Sequence, residues 1–187
     1  MDRVQKLAAA IARLKPEEKE RLFRLLDERG DWPSPAGRAS QPELAPPLPQ
    51  GNRPPDYILI FDGGSKGNPG WGYGSYALIR VQDGAQRLER LNLGDGYTNN
   101  EAEYDSLIAG LRDLLDRIEG AGRQPQEFAL EVRGDSSLVI NQVLGKWKAK
   151  DARMRERRDH CRRLLSRFGA VELVLQPRQE SVRVLGH

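Results

Sequence analysis

The sequence predicts an α/β domain, a mixed five-stranded sheet flanked by helices and preceded by a short helical N-terminal segment. Two observations predict the sheet. Residues 57–93 hold three consecutive strand-like runs joined by turn signals, and residues 98–175 then alternate helical and strand periodicity. A third observation sets off the N-terminal segment. Eight of the chain's 12 prolines fall between residues 33 and 55, in a stretch with almost nothing to bury. Such a stretch reads as a partly extended linker. The 187 residues therefore divide into a helical segment (1–32), a Pro-rich linker (33–55) and a main domain (56–187).

Each element has its own signal. Val4, Leu7, Ala8, Ile11 and Leu14 recur at helical spacing; Pro16, Glu17 and Glu18 open a second short helix carrying Leu22, Phe23, Leu25 and Leu26, and Gly30 stops it. Tyr57–Phe61, Trp71–Val81 and Gln86–Leu93 read as strands, with Asp83-Gly84 in the second turn. Thr98 to Ile118 is a helix, because Tyr104, Ile108, Leu111, Leu115 and Ile118 step along one face. Phe128–Val132 is a fourth strand, followed by a helix from Ser136 to about Leu144 and a basic helix over Ala152–Phe168. Val171–Leu175 is the fifth strand, giving the order βββαβααβ.

Composition narrows the chemistry. A single cysteine, Cys161, excludes an internal disulfide framework and a multi-cysteine zinc site. Two histidines, His160 and His187, leave little for a histidine metal cluster or a Ser-His-Asp triad. Any metal chemistry must rest on carboxylates, which points to magnesium or manganese. No apolar run is long enough to span a membrane, and the N-terminus lacks a signal-peptide core and is too acidic for a transit peptide. A cytoplasmic protein is expected. Charge is unevenly placed: residues 143–167 hold ten Lys/Arg against three Asp/Glu, in a chain of formal net charge +3. That cluster is an electrostatic footprint for a polyanion.

The stretch FDGGSKGNPGWGYGSYALI, residues 61–79, carries the chemistry. An apolar strand ends on Asp62, and six glycines and a proline pass into the next apolar run. Glu103 falls in the first turns of the helix that begins near Thr98. Asp135, in RGDSS, ends the fourth strand where the next helix starts. Strand ends beside helix starts are where open α/β sheets place their sites. Three converging carboxylates repel one another unless cations neutralise them. Two divalent ions about 4 Å apart would do so, activating a water and stabilising a departing phosphate-ester oxygen. Gly63, Gly64, Gly67 and Gly70 would let backbone approach a sugar-phosphate strand, with Ser65 and Asn68 as donors. Asn99 and Asn100 are expected to cap the helix and to reach base edges or a 2′-hydroxyl.

At these residues the chain resembles the type 1 ribonuclease H family. DGGSKGNPGWGYG, TNNEAEYDSLIAGL and GDSSLVI stand as its three motifs, in order, and VELVLQPRQES looks like its last strand and following loop. The resemblance covers Tyr57 onward and implies a ribonuclease H-like fold. It also implies cleavage of the RNA strand of RNA–DNA hybrids with two Mg²⁺ or Mn²⁺ ions, leaving 3′-hydroxyl and 5′-phosphate ends. On the family pattern Asp62, Glu103 and Asp135 fall on metal-binding carboxylates. Ser65, Asn68, Asn99, Asn100 and Ser136 fall on positions around the hybrid. The DNA strand would lie against Lys146, Trp147, Lys148 and the stretch as far as Arg158.

Two departures accompany the resemblance. The basic, Trp-rich protrusion of many members is missing, because Gly145-Lys146-Trp147-Lys148 leads almost directly into the basic helix. The family's fourth metal-binding Asp would fall at residue 185, where this chain has Leu185. His187 is the expected substitute, since an extended chain would bring it to the side that residue 185 faces. The alternative reading is a hybrid-binding protein of the same fold that has lost catalysis with the fourth carboxylate. Residues 1–32 do not resemble the family's hybrid-binding domain; docking of a partner or self-association is the role left to them.

Overall fold

The computed structural model describes Glu18, Leu48, Pro49, Gly51 and residues 53–186. Of the expected N-terminal helices only Glu18 is described, in a helix and exposed; the rest of that expectation and His187 lie outside the described residues.

Apolar residues at 57–61 start the first strand, but it does not stop at Asp62. Strand β1 (Tyr57–Gly67) continues through the glycines. It pairs antiparallel with β2 (Gly70–Arg80) from Tyr57↔Arg80 to Gly67↔Gly70. The expected glycine-rich loop is thus a long hairpin with a tight tip at Asn68-Pro69, joined by a cis peptide bond. Gly63 opposes Gly74, and what a side chain would fill is taken by neighbours. A Cβ on Gly63 would lie 2.5 Å from the Ala102 backbone, and one on Gly64 would lie 2.6 Å from the Tyr73 hydroxyl. These two glycines permit close packing within the protein.

Strand β3 (Gln86–Tyr97) pairs antiparallel with β2 and runs past its expected end at Leu93, through Gly94 and Gly96, both at positive φ. Helix α1 (Asn99–Gly120) follows. Its N-cap is Thr98, not Asn99 or Asn100. The Thr98 side chain accepts from Glu101 N, and the Glu101 carboxylate accepts from Thr98 N at 2.9 Å, a reciprocal box that satisfies two orphan donors. A short 3₁₀ turn, Pro125–Glu127, leads into β4 (Ala129–Gly134), α2 (Ser137–Val143), α3 (Ala152–Leu165) and β5 (Ala170–Leu175). One further element was not expected: helix α4 (Arg178–Leu185), closed by Gly186 in the left-handed region. The chain is therefore helical up to Leu185, the residue before Gly186, where the sequence reading takes it as extended.

The sheet order is β3-β2-β1-β4-β5, with β1, β4 and β5 parallel. This is the mixed five-stranded sheet that the sequence predicts. Pairing of β1 with β4 ends at Ile60↔Arg133, while β1 stays paired with β2 to its tip. The two parallel strands part at that point, and Asp62 stands just beyond it.

One face of the sheet is thickly covered. Leu59, Phe61, Tyr76 and Leu78 meet Tyr104, Leu107, Leu111 and Leu115 of α1, with Val139, Ile140, Cys161, Leu165 and Phe168 completing one core. Each such fully buried aliphatic side chain contributes about 1.5–3 kcal/mol. On the opposite face Ile60, Ala77 and Leu185 form a small second core, flanked by Ile58, Ile79 and Val184. The expected linker also contributes: Leu48 packs on the main core and Pro49 accepts a hydrogen bond from Val171 N at 2.7 Å. The compact unit holding the sheet starts at Leu44.

Candidate active site

Three backbone features bring the predicted carboxylates together. Asp62 lies on β1 just past its last pair with β4, is 4 % exposed, and accepts from Gly63 N at 2.8 Å. Glu103 lies in the first turns of α1, which the close approach of Gly63 to the Ala102 and Glu103 backbone holds against β1. Asp135 occupies the junction between β4 and Ser136, and Ser136 caps α2 by accepting from Val139 N at 3.3 Å.

Their electrostatics record the closeness. Burial, against a Ser136 hydrogen bond and Arg178 and with the Asp62 and Asp135 charges, pushes the Glu103 carboxyl up to about 8. Burial, then the Asp62 charge, raises Asp135 as well, against its own backbone N–H and Arg178. Glu103 Oε2 is buried and has no hydrogen-bond partner. A buried carboxylate oxygen without a donor costs free energy unless a cation meets it. Hard oxygen donors with an excess of negative charge suit Mg²⁺ or Mn²⁺, so these residues fit such an ion. Among the described residues, however, no three His, Cys, Asp or Glu side chains close round a single point tightly enough to hold one. The physical reason is at hand: like charges spread apart, and Arg178 Nη1 stands 3.6 Å from Asp135 Oδ2.

Arg178 escaped the sequence reading. It opens α4 beside the carboxylates, and its only signal was a Pro-Arg pair after a strand. Leu185, at the position of the expected fourth carboxylate, is fully buried against Ile60 and Ala77. It is a core residue.

Around the carboxylates, Asn99 fastens the hairpin to the helix. Its Oδ1 accepts from Ser65 N at 2.8 Å, and its N–H donates to Asn68 Oδ1 at 3.4 Å. Ser65 Oγ is buried and without a partner. Asn68, Asn99 and Asn100 share a hollow of about 320 Å³ with Thr98, Asp151 and Arg153. The basic stretch is less free than its composition implies. Arg153 and Arg157 pair with Glu101, Arg157 also pairs with Asp105 at 2.9 Å, Arg158 pairs with Asp159, and Arg162 donates to Val143 O. Much of the basic helix therefore fastens α3 to α1 and α2. The Lys146 and Lys148 side chains are exposed and form no ion pair among the described residues, beside a half-buried Trp147. Among the described residues no helix is long and apolar enough to cross a membrane.

Residues 61–184 match the family described as reverse transcriptase-like. The chain is 35% identical over 126 residues to ribonuclease HI of Halobacterium salinarum, and 37% identical over 125 residues to a bifunctional protein of Mycobacterium tuberculosis. These matches span 66% and 65% of this chain, but 57% and 31% of those relatives. Among solved structures, ribonuclease H1 of H. salinarum superposes with a TM-score of 0.58 at 34% identity, covering 68% of this chain and 90% of that one. A compost-derived ribonuclease H1, LC11, solved in complex with an RNA/DNA hybrid, gives 0.60 at 28% identity over the same shares.

Proposed function

The chain belongs to the type 1 ribonuclease H family, and from that premise we propose that it is an endoribonuclease acting on the RNA strand of RNA–DNA hybrids. The observation that carries the proposal is the trio Asp62, Glu103 and Asp135 where β1 and β4 part, with a buried Glu103 oxygen left for a cation. Asp62, Glu103 and Asp135 would hold two Mg²⁺ or Mn²⁺ ions, whose chemistry is to activate a water and stabilise the leaving oxygen, yielding 3′-hydroxyl and 5′-phosphate ends.

The chain's own residues do the rest. Ser136 orients the Glu103 carboxylate by hydrogen bond. Arg178 places positive charge beside Asp135, on the side from which a scissile phosphate would enter. Gly63 and Gly64 keep the hairpin close to its neighbours, so that Ser65, Asn68, Asn99 and Asn100 face the hybrid from one rim. Lys146, Trp147 and Lys148 are assigned to the DNA strand. His187, near the position of the family's fourth carboxylate in sequence, is assigned as a further ligand. His187→Ala tests it: the Mn²⁺ requirement for half-maximal cleavage should rise.

Leu185 in the core favours one second reading, a hybrid-binding protein without catalysis. A labelled hybrid incubated with Mg²⁺, Mn²⁺ or EDTA separates the two. Cation-dependent RNA cleavage supports the enzyme. Binding without cleavage under all three conditions supports the alternative. Residues 1–32 are assigned to docking of a partner or to self-association.

A further inference from the structure

We infer that the trough beside α4 binds an unpaired stretch of the RNA strand, an inference that rests on the hybrid-cleaving reading above. The trough encloses about 520 Å³ and is lined by Lys66, Trp71, Tyr73, Arg90, Asn92 and Arg178. It lies on the thinly covered face of the sheet. Trp71 is 48% exposed and Tyr73 38%, though both sit on the hydrogen-bonded hairpin. Large aromatic rings held at the surface by rigid strands are stacking platforms for bases.

Charge complementarity identifies the occupant. Three cations line the trough and no acid is among its lining residues. Lys66 and Arg90 form no ion pair among the described residues, and Arg90 lies against Gly186 at the C-terminal end of α4. Aromatic faces interleaved with cations suit a chain of alternating bases and phosphates. Only unpaired bases can use them, because in a duplex the base faces are already covered.

Continuity with the carboxylates selects the strand. Arg178 lines the trough and stands 3.6 Å from Asp135. Tyr73 pairs with Gly64, which is two residues, about 7 Å, along β1 from Asp62. The strand whose phosphodiester sits at the carboxylates is the RNA, so its continuation beyond the hybrid enters the trough.

Fluorescence anisotropy in EDTA tests this with the full chain, with the Trp71→Ala/Tyr73→Ala variant and with Trp71→Ala alone, each first matched to wild type by thermal melt. The probes are a short blunt hybrid, the same hybrid with an unpaired RNA tail at the 5′ or the 3′ end, the same with a DNA-strand tail, and the RNA tail alone. An RNA tail at one end should tighten binding roughly tenfold, and the variant should lose that gain while binding the blunt hybrid as before. No gain from either RNA tail overturns the inference, as does a gain that survives in the variant or an equal gain from a DNA-strand tail. Failure of the blunt hybrid to bind sinks the parent reading instead. In that case the RNA tail alone decides the trough, which stands if the tail binds wild type and not the variant, and falls otherwise.

Discussion

The two faces of the sheet differ in how much they bury. On one, α1, α2 and α3 cover Leu59, Phe61, Tyr76 and Leu78 in a continuous core. On the other, α4 covers Ile60 and Ala77 with little more than Leu185, and leaves Trp71 and Tyr73 in solvent. The thick face supplies the stability. It allows the thin face to carry charge and exposed rings beside the carboxylates.

The contrast can be broken most directly by mutation of matched leucines. Leu111→Ala on the thick face should cost about 2–5 kcal/mol in denaturant unfolding, towards the upper end, while Leu185→Ala on the thin face stays near the lower. Equal losses would mean that the small core matters as much as the large one. Asp62→Asn should do the reverse of Leu111→Ala. Cleavage falls at least about a hundredfold, roughly 2.7 kcal/mol, while hybrid affinity is kept or gained as a repelling charge goes. A wild-type cleavage rate in Asp62→Asn would remove the carboxylates from the chemistry.

Acidity sharpens the comparison next. The folded Glu103 carboxyl titrates near 8 against an ordinary 4.5, so the folded state holds a proton that the unfolded chain gives up. Stability from this group is fully present below about pH 4.5 and is lost as pH rises towards 8. Asp135 is displaced in the same sense. Melting temperature in EDTA should therefore decline between about pH 4.5 and about pH 8, the window between those two values, and Glu103→Gln should flatten the decline. Stabilisation by added Mg²⁺ or Mn²⁺ should grow over that window, because the ion needs the deprotonated carboxylate. The smallest effect belongs to the lysines proposed to hold the DNA strand. Replacing Lys146 and Lys148 with Gln should lower the slope of log K against log salt by up to about two, with affinity falling evenly across sequences. An unchanged slope would show that neither lysine touches phosphate.

The sheet, α1 and the three carboxylates were legible in the sequence because their signals are local. Tyr104, Ile108, Leu111 and Leu115 repeat at helical spacing, and Asp62, Glu103 and Asp135 each sit in a motif. The second half of β1 was not legible, since Gly63, Gly64 and Gly67 carry no strand propensity and extend only because β2 and α1 press against them. Helix α4 was hidden for a related reason: eight residues, two of them valine, present a helical face only as Ser181 and Leu185. The helix cap was misplaced because Asn99 and Asn100 are good caps by type, whereas Thr98 has Glu101 three residues on. The neutralisation of the basic helix needed its partners on α1, Glu101 and Asp105, which no local pattern names.

The contact of Gly63 with the Ala102 and Glu103 backbone sets a tolerance. Two carboxylates of the candidate site sit on separate elements, and the gap between those elements is fixed main chain against main chain, with no side chain between to yield. A single methyl group at residue 63 would act as a shim, forcing β1 and α1 apart while leaving every carboxylate in the sequence. The chemistry of the site is thus calibrated by an atom that the chain does without.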